Sequence, residues 1–429
     1  MNRHIFLSFV FSAIVLAGCT KLDFYPHSSV SPESVSEKDL DPLLRGMYYS
    51  VQNFPGRESY IMYDLVGGNL ISSGGGNVLA FINNILRTDY AMVGNNWDGY
   101  YRALYQVNNV LQALERLPDS DKKTKIEGVA HFFRAYIYYN LTTRWGDVPL
   151  LRVNTTEKPF RTAQAQVWEF IEEDLLAAMD KAPSFSADLK SNFYYVSREA
   201  AQALMARVKL AQGKNGEAAT YAEHVINSGL FQLDSFEKIF RKQANKEVIF
   251  AFENLTEESS ITLSTLFYTY AHPVKGSYVY KPADDVMNMY EPDDNRKAMS
   301  IDTYSSLNVI NKYPSGQAGT DPVVIVRLGE MYLISAEAQG LAGLERLNEL
   351  RSARNLGPLS PATPEAYQEM VALERRRELL AEGFRWFDLV RTGKAVSELG
   401  IEPFRTKFPI PDYERLVNPN LSQNTGYGE

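Results

Sequence analysis

The sequence predicts a mainly α-helical protein, with tetratricopeptide-like helical hairpins and a loop-rich segment set against the helical frame. Three observations predict it. Apolar residues recur at three- and four-residue steps over several long stretches. The segment Ser197 to Gly229 reads as two Ala-rich helices around a Gly-bounded turn. Residues 245–325 lose the helical period and turn to Ser, Thr, Tyr, Gly and Pro.

Asp39 to Val51 is the first helical candidate. In Trp97 to Leu117, Trp97, Tyr101, Leu104, Tyr105, Asn108, Leu111 and Leu114 form one face, and Pro118 and Asp119 stop it. Lys122 to Arg144 continues with Ala130, Phe133, Ile137 and Leu141, and Gly146, Asp147 and Pro149 break it. Thr162 to Lys181 is closed by Pro183. In Ser197 to Gly229, small residues such as Ala200, Ala203, Ala218 and Ala222 let two helices approach closely across the turn Gly213 to Gly216. This spacing resembles a tetratricopeptide hairpin, a unit that stacks on its copies, and fits an unrelated helical pair equally well; a looser pair spans Arg327 to Ala353. Val248 to Phe252 is a short apolar run expected to be a buried strand.

The N-terminus reads as an address. Arg3 precedes an apolar run from Ile5 to Leu16, followed by Leu16-Ala17-Gly18-Cys19. This is the layout of a secretory signal, too short for a membrane span. The lone cysteine of the chain stands directly after the small residues, a pattern that resembles a bacterial lipobox. Residues 1–18 are therefore expected to be a signal peptide, Cys19 the lipidated residue, residues 19–36 a polar tether and residues 37–429 a single domain. With one cysteine the exported chain makes no internal disulfide. The acyl group would hold it to the membrane.

Composition excludes other classes. The net charge of −8, without Lys/Arg clusters, argues against nucleic acid. Five His and one Cys leave little for a metal or thiol site, and no phosphate-binding or cofactor motif is present. Asp284, Asp285, Asp293, Asp294 and Asn295 lack the alternation of a calcium loop and read as solvated turn acids. Glu378 and Glu382, four apart and flanked by Arg375 to Arg377, face the same way if helical. A glycosidase needs two carboxylates on opposite sides of one bond, so this cluster reads as ion pairing within the frame. Arg134 and Arg327 read as buried structural arginines, His131 as a core residue, and Phe408-Pro409-Ile410-Pro411 as an extended strap.

Several segments occur in a telling order. Ala130-His131-Phe132-Phe133-Arg134-Ala135-Tyr136 runs on to Arg144-Trp145-Gly146-Asp147-Val148-Pro149-Leu150. Then come Val324 to Ala338 (VIVRLGEMYLISAEA), Glu374-Arg375-Arg376-Arg377-Glu378-Leu379 and Glu382-Gly383-Phe384-Arg385-Trp386-Phe387-Asp388-Leu389. Phe408-Pro409-Ile410-Pro411 and Asn418-Pro419-Asn420-Leu421 close the series. With the lipobox in front, it resembles the SusD/RagB family over nearly the whole chain. The resemblance implies an α superhelix and non-catalytic binding of oligosaccharide at the outer membrane. It also implies delivery to a SusC-like, TonB-dependent transporter, and requires neither cofactor nor metal. Peptide or protein binding on the same scaffold is the alternative.

A sugar site needs flat aromatic faces and a polar rim. Two stretches supply both, in regions where the family carries its variable ligand loops. The first, Asp64 to Asn84, offers Asn69, Ser72, Asn77 and Phe81. The second, Leu266 to Tyr280, offers Tyr268, Tyr270, Tyr278 and Tyr280, with His272 and Lys275 among them. The alternating tyrosines fit equally well as strand residues facing one core.

Overall fold

The amphipathic runs form helices close to where their periodicity places them. The computed structural model describes residues 35–75, 78–186, 192–241, 244–257 and 261–428. Its larger helices are α1 (Leu40–Asn53), α2 (Ala91–Glu115), α3 (Asp121–Trp145) and α4 (Gln164–Lys181). They continue with α5 (Arg198–Ala211), α6 (Asn215–Ile226), α7 (Leu328–Ala338) and α8 (Leu344–Ala353). The last are α9 (Pro364–Glu378), α10 (Arg385–Arg391) and α11 (Ala395–Leu399). Capping side chains set several starts. The hydroxyls of Ser120, Ser197 and Thr363 accept from the amides of Lys123, Ala200 and Ala366 at 3.2, 3.1 and 3.2 Å. α2 begins six residues before the expected Trp97, because Gly94-Asn95-Asn96 belongs to the helix rather than to a loop. A long-range contact explains this. Asn96 donates to the Pro55 carbonyl at 3.1 Å, and a β-carbon on Gly99 would lie 2.2 Å from the Phe54 carbonyl oxygen.

α3 is the central helix. From Val129 to Trp145 only His131 is not buried, since α2 and α4 pack on it. Its polar residues are paired within the interior. Arg134 grips Asp174 of α4 through two bonds of 2.8 Å, and Nδ1 of His131 lies 2.7 Å from the same carboxylate. Gly128 sets the α3–α4 spacing, because an added β-carbon would sit 2.2 Å from the Ala182 amide nitrogen. Gly128→Ala is therefore expected to cost about 2 kcal/mol in chemical unfolding. A variant as stable as the parent would show that the end of α4 yields freely.

α5 and α6 form the Ala-rich hairpin, turning at Gly213, whose φ is +70°. α7 packs on α6 and on α8, and Glu223 ties the three helices. Its carboxylate accepts from Ser335 at 2.5 Å and pairs with Arg346 at 2.8 Å. The expected second hairpin is thus α7 and α8.

Residues 245–325 carry most of the short strands, as their composition suggests. Among the described residues the strands pair as three antiparallel ribbons. β2 (Val248–Phe252), fully buried, pairs with β6 (Val323–Arg327). Phe250 and Phe252 meet Phe132 and Phe133 of α3 with ring centroids 5.5 and 6.0 Å apart. β4 (Ile301–Tyr304) and β5 (Leu307–Ile310) form a hairpin through Ser305 and Ser306, both left-handed as a two-residue turn requires. β1 (Leu70–Ser72) pairs with β3 (Tyr280–Pro282) and joins segments more than 200 residues apart. One large apolar core runs through the helices and strands, with two small satellites under α7–α9 and α10–α11. No helix among the described residues is long and apolar enough to cross a membrane.

Candidate ligand-binding site

The β1–β3 ribbon brings the two sequence-predicted ligand stretches together. Leu70 faces Pro282, Ile71 faces Lys281 and Ser72 faces Tyr280. Beyond the ribbon the Ser73 amide donates to the Val279 carbonyl at 3.1 Å, and the Ser73 hydroxyl donates to the Tyr278 carbonyl. The first stretch is fixed from beneath by Asp64. Its buried carboxylate accepts from the amides of Ala381 and Gly383 at 3.0 and 2.7 Å and from Asn69 Nδ2 at 2.8 Å. Burial raises the Asp64 carboxyl above its ordinary value, against the pull of these donors.

The second stretch folds back on itself. The amides of Ser277, Tyr278 and Val279 donate to the carbonyls of Thr265, Tyr268 and Leu266 at 2.7, 2.9 and 2.8 Å. Gly276 is required here, because a β-carbon would lie 2.4 Å from the Tyr268 carbonyl oxygen. Tyr278 sits in the left-handed region at φ +47°, and its hydroxyl donates to the Asn308 carbonyl at 3.0 Å. Tyr304 of the neighbouring hairpin donates to the Ala271 carbonyl at 3.3 Å. Between the two elements lies His272, with ring centroids 4.5 Å from both Tyr268 and Tyr304. Burial lowers the His272 pKa below its ordinary value, despite the nearby Asp302 carboxylate. The imidazole is therefore neutral at neutral pH.

The fold sorts the candidate residues. Tyr270 is 75% exposed, with the Lys275 ammonium 5.7 Å from its ring centre. Tyr278 and Ser72 are partly exposed, and the Ser72 hydroxyl accepts from the Gly75 amide at 2.9 Å. Tyr268 and Tyr280, at 0% and 1% exposure, are core residues. The Tyr268 hydroxyl donates to Asn311 Oδ1 at 2.6 Å. Phe81 is equally buried, 6.0 Å from the rings of Tyr90 and Phe408. Asn69 is buried between Asp64 and Arg376, accepting from Arg376 Nε at 2.7 Å. For these four the ligand-contact expectation is corrected, since each spends its face or its polar atoms inside the protein. Asn77 and Cys19 lie outside the described residues. Tyr304 and His272 join the surface instead. Tyr304 carried only a weak signal, because Ser-Ser is a poor marker of a two-residue hairpin beside Asn-Gly.

The Glu374–Arg391 region contains a buried charge network. Arg327 receives Glu378 at 2.6 Å, Glu382 at 2.9 Å and Glu247 at 3.1 Å. α9 ends at Glu378 and Ala381 turns left-handed, so Glu382 lies beyond the helix rather than on its next turn. Both carboxylates nevertheless converge on one guanidinium. Asp294 and Asp285 are paired with Arg296 and Arg376, each at 2.7 Å. Among the described residues no group of His, Cys, Asp and Glu is arranged to hold a metal ion.

Comparisons with known proteins agree along the chain. A family model described as "Starch-binding associating with outer membrane" matches residues 22–210, and one described as "SusD family" matches residues 268–405. The SusD-like protein P38 of Formosa agariphila is 24% identical, over 99% of each chain. The starch-binding protein SusD of Bacteroides thetaiotaomicron is 34% identical over 121 residues, covering 24% of this chain and 21% of that protein. Among solved structures, a laminarin-binding SusD-like protein superposes with a TM-score of 0.81 at 21% identity, over 91% of this chain and all of that one. A SusD superfamily protein from Bacteroides vulgatus gives 0.79 at 24% identity, over 91% of this chain and 99% of its own. The mainly helical frame, the ordered segments from Ala130 to Leu421 and these matches lead to one conclusion: the chain belongs to the SusD/RagB family.

Proposed function

We propose that the protein is a lipid-anchored, non-catalytic glycan-binding protein of the cell surface that passes oligosaccharide to a SusC-like, TonB-dependent transporter. The observation that carries the binding step is the ribbon-joined loop pair, which presents Tyr270, Tyr278 and Tyr304 beside Ser72 and Lys275. Tyrosine faces stack on the apolar faces of sugar rings, and the neighbouring hydroxyls and ammonium meet the hydroxylated rim. The names of relatives that bind laminarin or starch, and a family model tied to the outer membrane, support the same reading. The lipobox at Cys19 supplies the anchor. The network that occupies Glu378 and Glu382 supports binding without chemistry, because both carboxylates are committed to arginine.

The test is calorimetric titration of residues 20–429 with a panel of plant, host and microbial glycans that includes laminarin, and with a peptide mixture. Saturable binding of one glycan class is expected. Tyr270→Ala should weaken it about tenfold, or ~1.4 kcal/mol, and Tyr270→Ala with Tyr278→Ala further still. Unchanged affinity in the double variant, with its melting curve intact, would remove the loop pair as the site. Heat from peptides alone would favour the peptide-binding alternative. Copurification of a TonB-dependent barrel with the lipidated chain checks delivery.

A further inference from the structure

A groove of about 180 Å3 runs beside α1, and none of its lining residues belongs to the loop pair. Leu44, Tyr48 and Gln52, at four-residue steps with Tyr49 beside them, form its helical wall. The short 3-10 turn Asn192–Tyr194 and the following Tyr195 bring the second wall, and Phe252, Glu253 and Leu255 at the end of β2 close it. Core contacts hold the seat. The Tyr48 hydroxyl accepts from the Val196 amide at 2.7 Å and so ties the turn to the helix. The Tyr48 ring is edge-on to Phe133 of α3 at 4.7 Å and to Phe250 of β2 at 6.4 Å. On this seat stand rings that the fold does not use up. Tyr195 is 61% exposed and Tyr49 49%, and among the described residues no hydrogen bond takes up either hydroxyl. Burial, and then the nearby Glu253 carboxylate, push the Tyr194 hydroxyl up to about 12, so a carboxylate stands close to a protonated phenol in the same groove.

We propose that this groove is a second glycan site, which takes a neutral sugar ring. The exposed faces of Tyr49 and Tyr195 suit the apolar face of a pyranose, and the phenol hydroxyls with the Glu253 carboxylate suit its hydroxylated rim. Arg45 and Glu253 line the groove with opposite charges, so it carries no net charge that would select an acidic sugar. The groove is smaller than the roughly 300–1,000 Å3 pockets that enclose larger ligands, and it fits one ring of a chain lying across it. A stable protein partner would cover about 800 Å2, which a groove of this size does not supply. The inference rests on the glycan-binding reading above and adds a site to it.

The probes are neutral oligosaccharides prepared from laminarin, starch and xylan, with oligogalacturonate as the acidic comparison, titrated calorimetrically against residues 20–429. One neutral probe is expected to show two classes of site. Tyr270→Ala with Tyr278→Ala should remove one class, and Tyr49→Ala with Tyr195→Ala should remove the other. Tyr195→Ala alone should weaken its class about tenfold, whereas Tyr195→Phe keeps the ring face and should bind like the parent. Both groove tyrosines stand at the surface, so the melting curves of these variants should match that of the parent. An isotherm unchanged by Tyr49→Ala with Tyr195→Ala, or binding wholly lost in the loop-pair variant, would overturn this site and leave the loop pair standing. Binding that survives the loop-pair variant and is lost in the groove variant would support this site and remove the loop pair. Oligogalacturonate bound as tightly as the neutral probes would overturn the assignment to a neutral ring. Silence from every neutral probe would overturn this site, whatever the wider glycan panel gives at the loop pair.

Discussion

Glu378→Ala is expected to lower the stability of the protein by about 4 kcal/mol, read as a fall in the urea midpoint. Glu378 is wholly buried and receives Arg327 at 2.6 Å, Arg354 at 2.8 Å and Arg296 at 2.9 Å. Around it, Arg296, Lys312, Arg327, Arg351 and Arg354 balance Glu247, Asp294, Glu374, Glu378 and Glu382. Removing one partner leaves an uncompensated cation in the interior, which costs far more than the loss of a surface pair. A loss under about 1 kcal/mol would mean that water reaches the network and screens it.

The same network sets the acid side of the stability profile. Burial pushes the Glu378 carboxyl up, but Arg354, Arg327 and Arg296 outweigh it and hold the group well below its usual 4.5. A folded value below the unfolded one means that its stabilisation is complete above about pH 4.5 and is lost as pH falls through the folded value. Asp321 acts in the opposite sense. Burial raises it from 3.8 to about 6, against donors from Ser315. Its stabilisation is complete below 3.8 and is lost as pH rises through about 6. Asp321→Asn should flatten the decline in stability from pH 4 to 7, and Glu378→Ala should not.

The helices and the strand Val248–Phe252 were legible because their signals are local. Caps such as Ser197, stops such as Pro183 and an unbroken apolar run each act within a few residues. What the sequence withheld was set by distant partners. The helix expected from Trp97 reaches back to Ala91, where Pro55 supplies an acceptor for Asn96. Tyr268 and Tyr270 have strand-like spacing, yet one is core and the other solvent-facing, because the chain turns at Thr269 after the short helix Ser264–Phe267. Asn69 looked like a rim residue and proved to be the link between Asp64 and Arg376, which lie far from it in sequence or beyond a turn. The ribbon joining the two ligand stretches was unreadable for the same reason, since β1 is three residues long and its partner begins at Tyr280.

Trp145→Ala should be nearly as damaging, at about 4 kcal/mol, and it should first release the end of the chain. The indole is wholly buried, edge-on to Trp97 at 5.0 Å and to Phe408 at 6.0 Å, and its Nε1 donates to the Pro409 carbonyl at 3.0 Å. The Phe408–Pro411 strap is doubly held at this point. The Phe408 amide donates to the Arg144 carbonyl at 2.8 Å, and Asn424 Nδ2 donates to the carbonyls of Trp145 and Phe408 at 2.9 and 2.8 Å. Gln423 brackets Ile410 with bonds of 2.7 and 2.8 Å. Truncating the indole removes both the ring that Phe408 packs on and the donor to Pro409, so segment 407–428 loses its seat before α3 loses its neighbours. Trp145→Phe keeps most of the ring and loses the donor, for about 2 kcal/mol. Limited proteolysis under native conditions should therefore cut Trp145→Ala near Lys407 while Trp145→Phe and the parent resist. Equal resistance in all three would show that Asn424 and Gln423 hold the strap without the indole.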